Sequence, residues 1–523
     1  MKLPWPSAPL LCLSPALALV PVLVVVVPAL HAGGLATWGD FLLGALRPSL
    51  EPAVLNAVLH GLQVTLATAL LSWALSVLIG ALLALISADV LWLSQGRSPW
   101  PGRALRVVLA LPRSIHELIW GLLLLQVFGL HPWVAVLAIV IPYSALVARV
   151  WRDQLDSLDR RRLIALLQGG AGAHAALLTA MAPVMAPSLF SYGGYRLECA
   201  LRSATLLGVF GLGGLGTELQ LSLQSLRFEE FWTALWPLVL VSVALEQLLR
   251  LWRLRRGGAD RFVAQRQQLW CGVGLVVTVI GSALWMQQLF PPQMGALPLQ
   301  WPPLPDRAAL IAAAGELPWL SLVGDTLLLT VLAAGLAIGL PPLGLLLWHR
   351  GGGTTLQSLI WTALRLLPPP LTLLLLLLAN QPSLALAALA LGLQNAGVLG
   401  RLLLEGLEQQ PPERRIAIEA TAAPPAASWL YGSLSGQSHA YLAYAAYRSD
   451  VILRETVVVG LVGGTGLGWA LIEALSSFHW AAIALLIAAF AGLTLVGEWL
   501  SERQRAHWLE GSSPRGTEVL LQS

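Results

Sequence analysis

Apolar runs of about twenty residues recur along the whole chain, separated by short polar connectors. A membrane-spanning helix needs roughly 20 mainly apolar residues. Twelve stretches meet that requirement: 8–30, 56–88, 104–130, 133–150, 184–212, 229–251, 269–289, 321–349, 354–378, 384–404, 437–462 and 480–500. Several exceed the minimum, which predicts tilt, breaks or extension beyond the bilayer. Of the 523 residues, 57% are hydrophobic and 11% charged, against about 25% charged in soluble domains. The pattern is that of an all-α integral membrane protein with about twelve spans.

Charge gives these spans a direction. With the N-terminus placed in the cytoplasm, 22 of the 31 lysines and arginines fall on the cytoplasmic side, three outside (Arg47, Arg227, Arg307) and six within spans. That asymmetry is the positive-inside pattern, and it predicts a multi-pass protein with both termini in the cytoplasm. The sequence pI near 9.2 therefore reflects orientation, and no soluble basic domain is present to hold a nucleic acid. Cys12, Cys199 and Cys271 lie in apolar runs and the nine histidines show no ligand spacing, so no disulfide framework or metal site is expected. The first span ends in PALHAGG, similar to a signal-peptidase site, but its apolar run is long for a signal peptide, and an uncleaved first helix is expected.

The polar positions inside the spans repeat. Residues 195–216 read YRLECALRSATLLGVFGLGGLG and residues 447–468 read YRSDVILRETVVVGLVGGTGLG, at an offset of 252 (447 − 195). Tyr195, Arg196, Glu198 and Arg202 fall on Tyr447, Arg448, Asp450 and Arg454, and Gly208, Gly211, Gly214 and Gly216 on Gly460, Gly463, Gly466 and Gly468. The offset also matches Arg113 with Arg365, Arg149 with Arg401, Asp156 with Glu408 and Glu246 with Glu498. Six spans per half give both halves one orientation, a parallel repeat: a first half 1–255, a cytoplasmic linker 256–268, a second half 269–503 and a cytoplasmic tail 504–523. The Pro-rich stretch 290–319 reads as an ordered outer cap or loop, the tail as disordered. The loops 151–182 and 403–436 are the longest polar excursions on the cytoplasmic side, and each holds an Ala-rich helical core.

Residues 211–216 (GLGGLG) match the dinucleotide-binding pattern literally, but that site needs a preceding strand and here a membrane helix precedes it. The glycines read as a tight turn or close backbone packing where a span ends. A phosphate-binding loop for ATP requires lysine, and the sequence holds a single one, Lys2. The chain is thus no enzyme with its own ATPase site. Intramembrane charges normally face a bundle interior or an aqueous cavity. Tyr195, Glu198 and Arg202, like Tyr447, Asp450 and Arg454, occupy one helical stripe. Each acid–arginine pair at i, i+4 either pins helix packing or lines an anionic pathway. Arg196 and Arg448 lie off that stripe. Glu117 follows Arg113 at i+4 whereas Pro369 follows Arg365, so these two arginines and Glu117 are further pathway candidates.

LRSATLLGVFGLGGLGTEL, RSIHELIWGLLLL and LQNAGVLGRLLLEGLE, read in place, resemble the membrane subunit of phosphonate-type ATP-binding-cassette (ABC) importers, over nearly all of 55–255 and 320–503. The resemblance implies a type I-like permease fold in two fused copies. It also implies an ATPase dimer docked in trans through cytoplasmic coupling loops, a periplasmic solute-binding protein, ATP and magnesium bound by the ATPase and no cofactor in this chain, and a small phosphorus oxyanion as solute. Gly170, with Ala171, and Pro183 match the family's loop glycine and proline. In the second loop Ala422, with Ala423, stands at the glycine and Ser435 at the proline. Ile164 and Ile416 replace the loop's glutamate, and His116 stands where the family has the proline kept at Pro368. Alternatives are an ABC permease for another small solute such as an amino acid, and an ion-coupled secondary transporter, which needs no paired docking loops.

Overall fold

The structure is a computed structural model, and it describes residues 13–30, 34–255, 261–291, 302–347, 353–408, 410 and 413–510. The tail beyond 510, the start of the linker and residues 292–301 of the outer Pro-rich stretch lie outside the described residues, as does part of PALHAGG.

All regular structure among the described residues is helical. Chain order begins with α1 (Ser14–Ala29), α2 (Leu35–Gly44), α3 (Pro52–Ser87), α4 (Asp89–Ser94), α5 (Trp100–Ser114), α6 (Glu117–Phe128) and α7 (Pro132–Ser157). The hairpin α8 (Arg161–Gln168) and α9 (Ala173–Ala180) leads into α10 (Ala182–Leu207), α11 (Leu215–Gln224), α12 (Phe228–Arg255) and α13 (Arg261–Leu289). Then come α14 (Arg307–Glu316), α15 (Trp319–Leu347), α16 (Gly353–Leu366), α17 (Pro369–Leu377) and α18 (Leu384–Glu408). A second hairpin, α19 (Glu413–Glu419) and α20 (Pro425–Gly432), precedes α21 (Ser438–Gly463), α22 (Gly466–Ser476) and α23 (Trp480–Glu510).

Seven helices are long and apolar enough to cross a membrane, or ten if each of three bent pairs is one span. The other two of the twelve stretches are α1, which is short, and α21, which carries Arg448, Asp450, Arg454 and Glu455. The sequence count of twelve is therefore not reached by length and composition. The bends have local causes. Between α5 and α6 the axis turns by 87°, next to Pro112, and the His116 side chain caps the new helix by accepting from Leu118 N at 3.2 Å. Between α16 and α17 it turns by 95°, where the run Pro368-Pro369-Pro370 cannot continue a helix.

The chain forms two compact units, residues 44–302 and residues 1–43 with 303–521, the last two residues aside. In the first, α3 packs along α7 closely enough that a Cβ on Gly80 would meet Val147 at 2.6 Å. In the second, α15 packs along α18 in the same way, with Gly392 against Leu336 and the Ala333 carbonyl. Small residues at such contacts let apolar helices approach where no water is available to drive association. Outward positions such as Leu82 and Val107 remain exposed, as lipid-facing side chains do.

These packing units are drawn differently from the sequence repeat. Helix α1 opens the first repeat half, yet it lies in the second unit, against α15 and α18. Helix α13, its counterpart in the repeat, lies in the first unit against α3, with Met286 and Ala283 on Ala67 and Leu71.

Candidate functional site

Helix α10 carries the first charged stripe. Arg202 Nη2 donates to Glu198 Oε1 at 3.2 Å, both side chains largely buried. On α21, Arg454 donates to Asp450 in the same way, and Asp450 is 4% exposed. The acid–arginine pairs expected from the i, i+4 spacing thus form in both copies. Tyr195 lies beside Tyr192 (ring centroids 6.2 Å apart) and Tyr447 beside Tyr444 (5.7 Å), again in register.

The stripe's end explains the repeated glycines. After α10 the backbone leaves helical geometry at Phe210 and Gly211 and re-enters it at α11. The Thr65 hydroxyl accepts from Leu215 N at 2.8 Å, and the Thr326 hydroxyl accepts from Leu467 N at 2.9 Å. Gly214 and Gly466 precede those amides with φ of +94° and +68°, a region open to glycine at no steric cost. A Cβ on Gly216 would stand 2.0 Å from the Thr205 carbonyl, and one on Gly468 2.7 Å from the Val457 carbonyl. The GLGGLG run is a sealed backbone break between two helices.

Arg113 and Arg365 occupy the last turns of α5 and α16, where a cation complements the carbonyl end of the helix. Ser114 ends α5 and Glu117 begins α6, so the i+4 relation of Arg113 to Glu117 is not a helical one. Glu117 turns instead to residues that the sequence reading left aside. Ser203 Oγ donates to Glu117 Oε1 at 2.6 Å, Tyr143 OH is 2.7 Å from Ser203 Oγ, and His116 Nδ1 lies 3.5 Å from Glu117 Oε2. The Arg196 guanidinium stacks 3.7 Å over the Tyr143 ring. In the second copy Arg448 Nε donates to Asn395 Oδ1, its Nη2 is 3.4 Å from Glu455 Oε1, and Asn395 Nδ2 donates to Glu455 Oε2 at 2.8 Å. Tyr143, Ser203, Asn395 and Glu455 had a signal in the sequence: they are polar residues inside spans that fall on one another at the offset of 252.

Both long cytoplasmic loops fold as helical hairpins. Gly170 makes the α8–α9 turn at φ +84°, and Ala422 makes the α19–α20 turn at φ +55°. Ala171 packs on the apolar core beneath the first hairpin, Pro183 lies in the first turn of α10, and Ala423 sits in the second turn. Ile164, Leu178, Ile416 and Tyr431 are exposed. Among the described residues no three His, Cys, Asp or Glu side chains are grouped to hold a metal ion.

No family model matches the chain. The phosphate-import permease protein PhnE of Mycolicibacterium smegmatis is 25% identical over 464 residues, covering 82% of this chain and 84% of that protein. The putative phosphite transport system permease protein HtxC of Stutzerimonas stutzeri is 26% identical over 213 residues, 41% of this chain and 73% of that one. The putative cryptic phosphonate transport system permease protein PhnE2 of Escherichia coli is 34% identical over 122 residues, 23% of this chain and 99% of that one. A multi-pass helical chain with a duplicated charged helix, matching such a relative over almost its whole length, belongs to the phosphonate-type ABC importer permease family.

Proposed function

We propose that this permease moves a small phosphorus oxyanion (phosphonate, phosphite or a phosphate-like ion) across the bacterial inner membrane, driven by an ATPase dimer supplied in trans. The observation that carries this reading is the similarity over 82% of the chain to a permease protein named for phosphate import, and over shorter stretches to ones named for phosphite and phosphonate transport. The two hairpins support the ATPase partner. Each places an exposed isoleucine at the same repeat position, Ile164 and Ile416, on a short helix that a cleft can hold. ATP and magnesium belong to that partner, a periplasmic binding protein delivers the solute, and both termini of this chain face the cytoplasm.

The test is reconstitution in proteoliposomes with labelled phosphite or methylphosphonate. The chain alone is expected neither to hydrolyse ATP nor to accumulate either ion, and uptake is expected only once the ATPase and binding protein are added. Accumulation driven by an ion gradient with no ATPase present would overturn the reading.

A further inference from the structure

Arg196 is 7% exposed, and its Nε and Nη2 are buried with no hydrogen-bond partner among the described residues. Buried polar groups are nearly always bonded, and an uncompensated buried cation is strongly destabilising. The Glu117 carboxylate is already engaged, accepting from Ser203 and facing His116. Ser203 has one proton and gives it to Glu117, so the Tyr143 hydroxyl donates to Ser203 and the chain runs Tyr143 to Ser203 to Glu117. The Tyr143 ring meets the face of the Arg196 guanidinium, and a face contact leaves the in-plane N–H donors open. Nε and Nη2 form one side of the guanidinium, the edge that grips two oxygens of a carboxylate or phosphate at once.

The same four positions in the second copy are filled otherwise. At the offset of 252, Tyr143 corresponds to Asn395, Arg196 to Arg448, Ser203 to Glu455 and Glu117 to Pro369. Each copy keeps one acid, but it has moved from α6 to α21. There it lies directly against the arginine, and Asn395 takes the Nε proton that Arg196 leaves unmet.

We infer that Arg196 is the guanidinium that takes the solute's oxygens, whereas Arg448 is closed to solute by Glu455 and Asn395, so that two homologous helices supply one anion site. This rests on the phosphorus-oxyanion reading above. The second copy also supplies a test that keeps formal charge constant: the double variant Glu117→Gln/Ser203→Glu moves the acid to where the repeat already accommodates one.

The full chain in lipid nanodiscs is titrated with phosphite, methylphosphonate and inorganic phosphate, following heat released and thermal stability. The wild type is expected to bind at least one of the three saturably. Arg196→Lys, which replaces a fork by a point charge, is expected to fold and to weaken that binding about tenfold. Glu117→Gln/Ser203→Glu is expected to keep or raise Tm and to lose binding. Arg448→Lys is expected to lower Tm while the folded fraction keeps its affinity. If the first two variants bind like wild type while Arg448→Lys loses binding, the inference falls and the solute reading stands. If the wild type binds none of the three ions, both fall.

Discussion

Gly170 and Ala422 hold the same turn in the two cytoplasmic hairpins, and only one of them suits it. A side chain in the left-handed region costs about 1–2 kcal/mol, and Ala422 sits there at φ +55°. Ala422→Gly is therefore expected to stabilise the second hairpin by about 1 kcal/mol, read as slower proteolysis of that loop. A Cβ on Gly170 would meet nothing within 4 Å, so the penalty of a side chain there begins with the left-handed backbone. Gly170→Val is expected to impair ATPase-coupled uptake more than Ala422→Val, since the second turn already tolerates a Cβ, and equal losses would show that the hairpins are not distinguished by this residue. The charged stripe allows a second comparison. Glu198→Gln leaves Arg202 without its carboxylate in a largely buried place, a loss on the order of 3 kcal/mol, and should appear as low folded yield. Arg202→Lys keeps a cation beside Glu198 and should fold and transport. Normal yield of Glu198→Gln would refute the structural role of the pair.

At the scale of elements, the broken helix pair is the unit that duplication preserved. Thr65 and Thr326 each bond an amide in the first turn of α11 and α22, although they are 261 residues apart (326 − 65) where the amides are 252 apart (467 − 215). The first copy holds nine more residues between Thr65 and Arg113 than the second holds between Thr326 and Arg365 (48 against 39), which shifts the register without disturbing the bond. Thr65→Val or Thr326→Val strands a buried amide and is expected to cost about 1–3 kcal/mol, lowering Tm in nanodiscs. An unchanged Tm in both would mean water replaces the hydroxyl. The apolar runs located the helices because a membrane-spanning helix must be mainly apolar along its length. The acid–arginine pairs were legible because i, i+4 spacing fixes a helical contact in sequence. The Tyr143–Ser203–Glu117 chain was not, since its members stand on α7, α10 and α6 and their meeting depends on how three helices pack. Leu226 and Phe478 show another limit: both take φ of 55° just after α11 and α22, a repeated conformation that no residue type announces.

At the scale of the molecule, sequence halves and packing units part company through α1 and α13. A Cβ on Gly335 would meet the Ala18 carbonyl at 2.4 Å and one on Gly339 would meet Leu19 at 2.7 Å, so the two glycines, four apart on α15, form the groove that receives α1. Small residues at that spacing let helix backbones touch, and nothing in the order of spans tells which α-helix fills the groove. The exchange makes each half of the chain depend on the other for one of its helices. Cutting the chain between residues 257 and 258 and co-expressing the pieces should accordingly give two fragments that purify together through a tag on either one. Gly335→Leu overfills the α1 groove, at about 1–3 kcal/mol for overpacking, and should reduce recovery of the untagged fragment. The reduction should be partial, because α13 still belongs with α3 in the other fragment's unit. Recovery of either fragment alone, folded and unaccompanied, would show that α1 and α13 do not bind across the repeat.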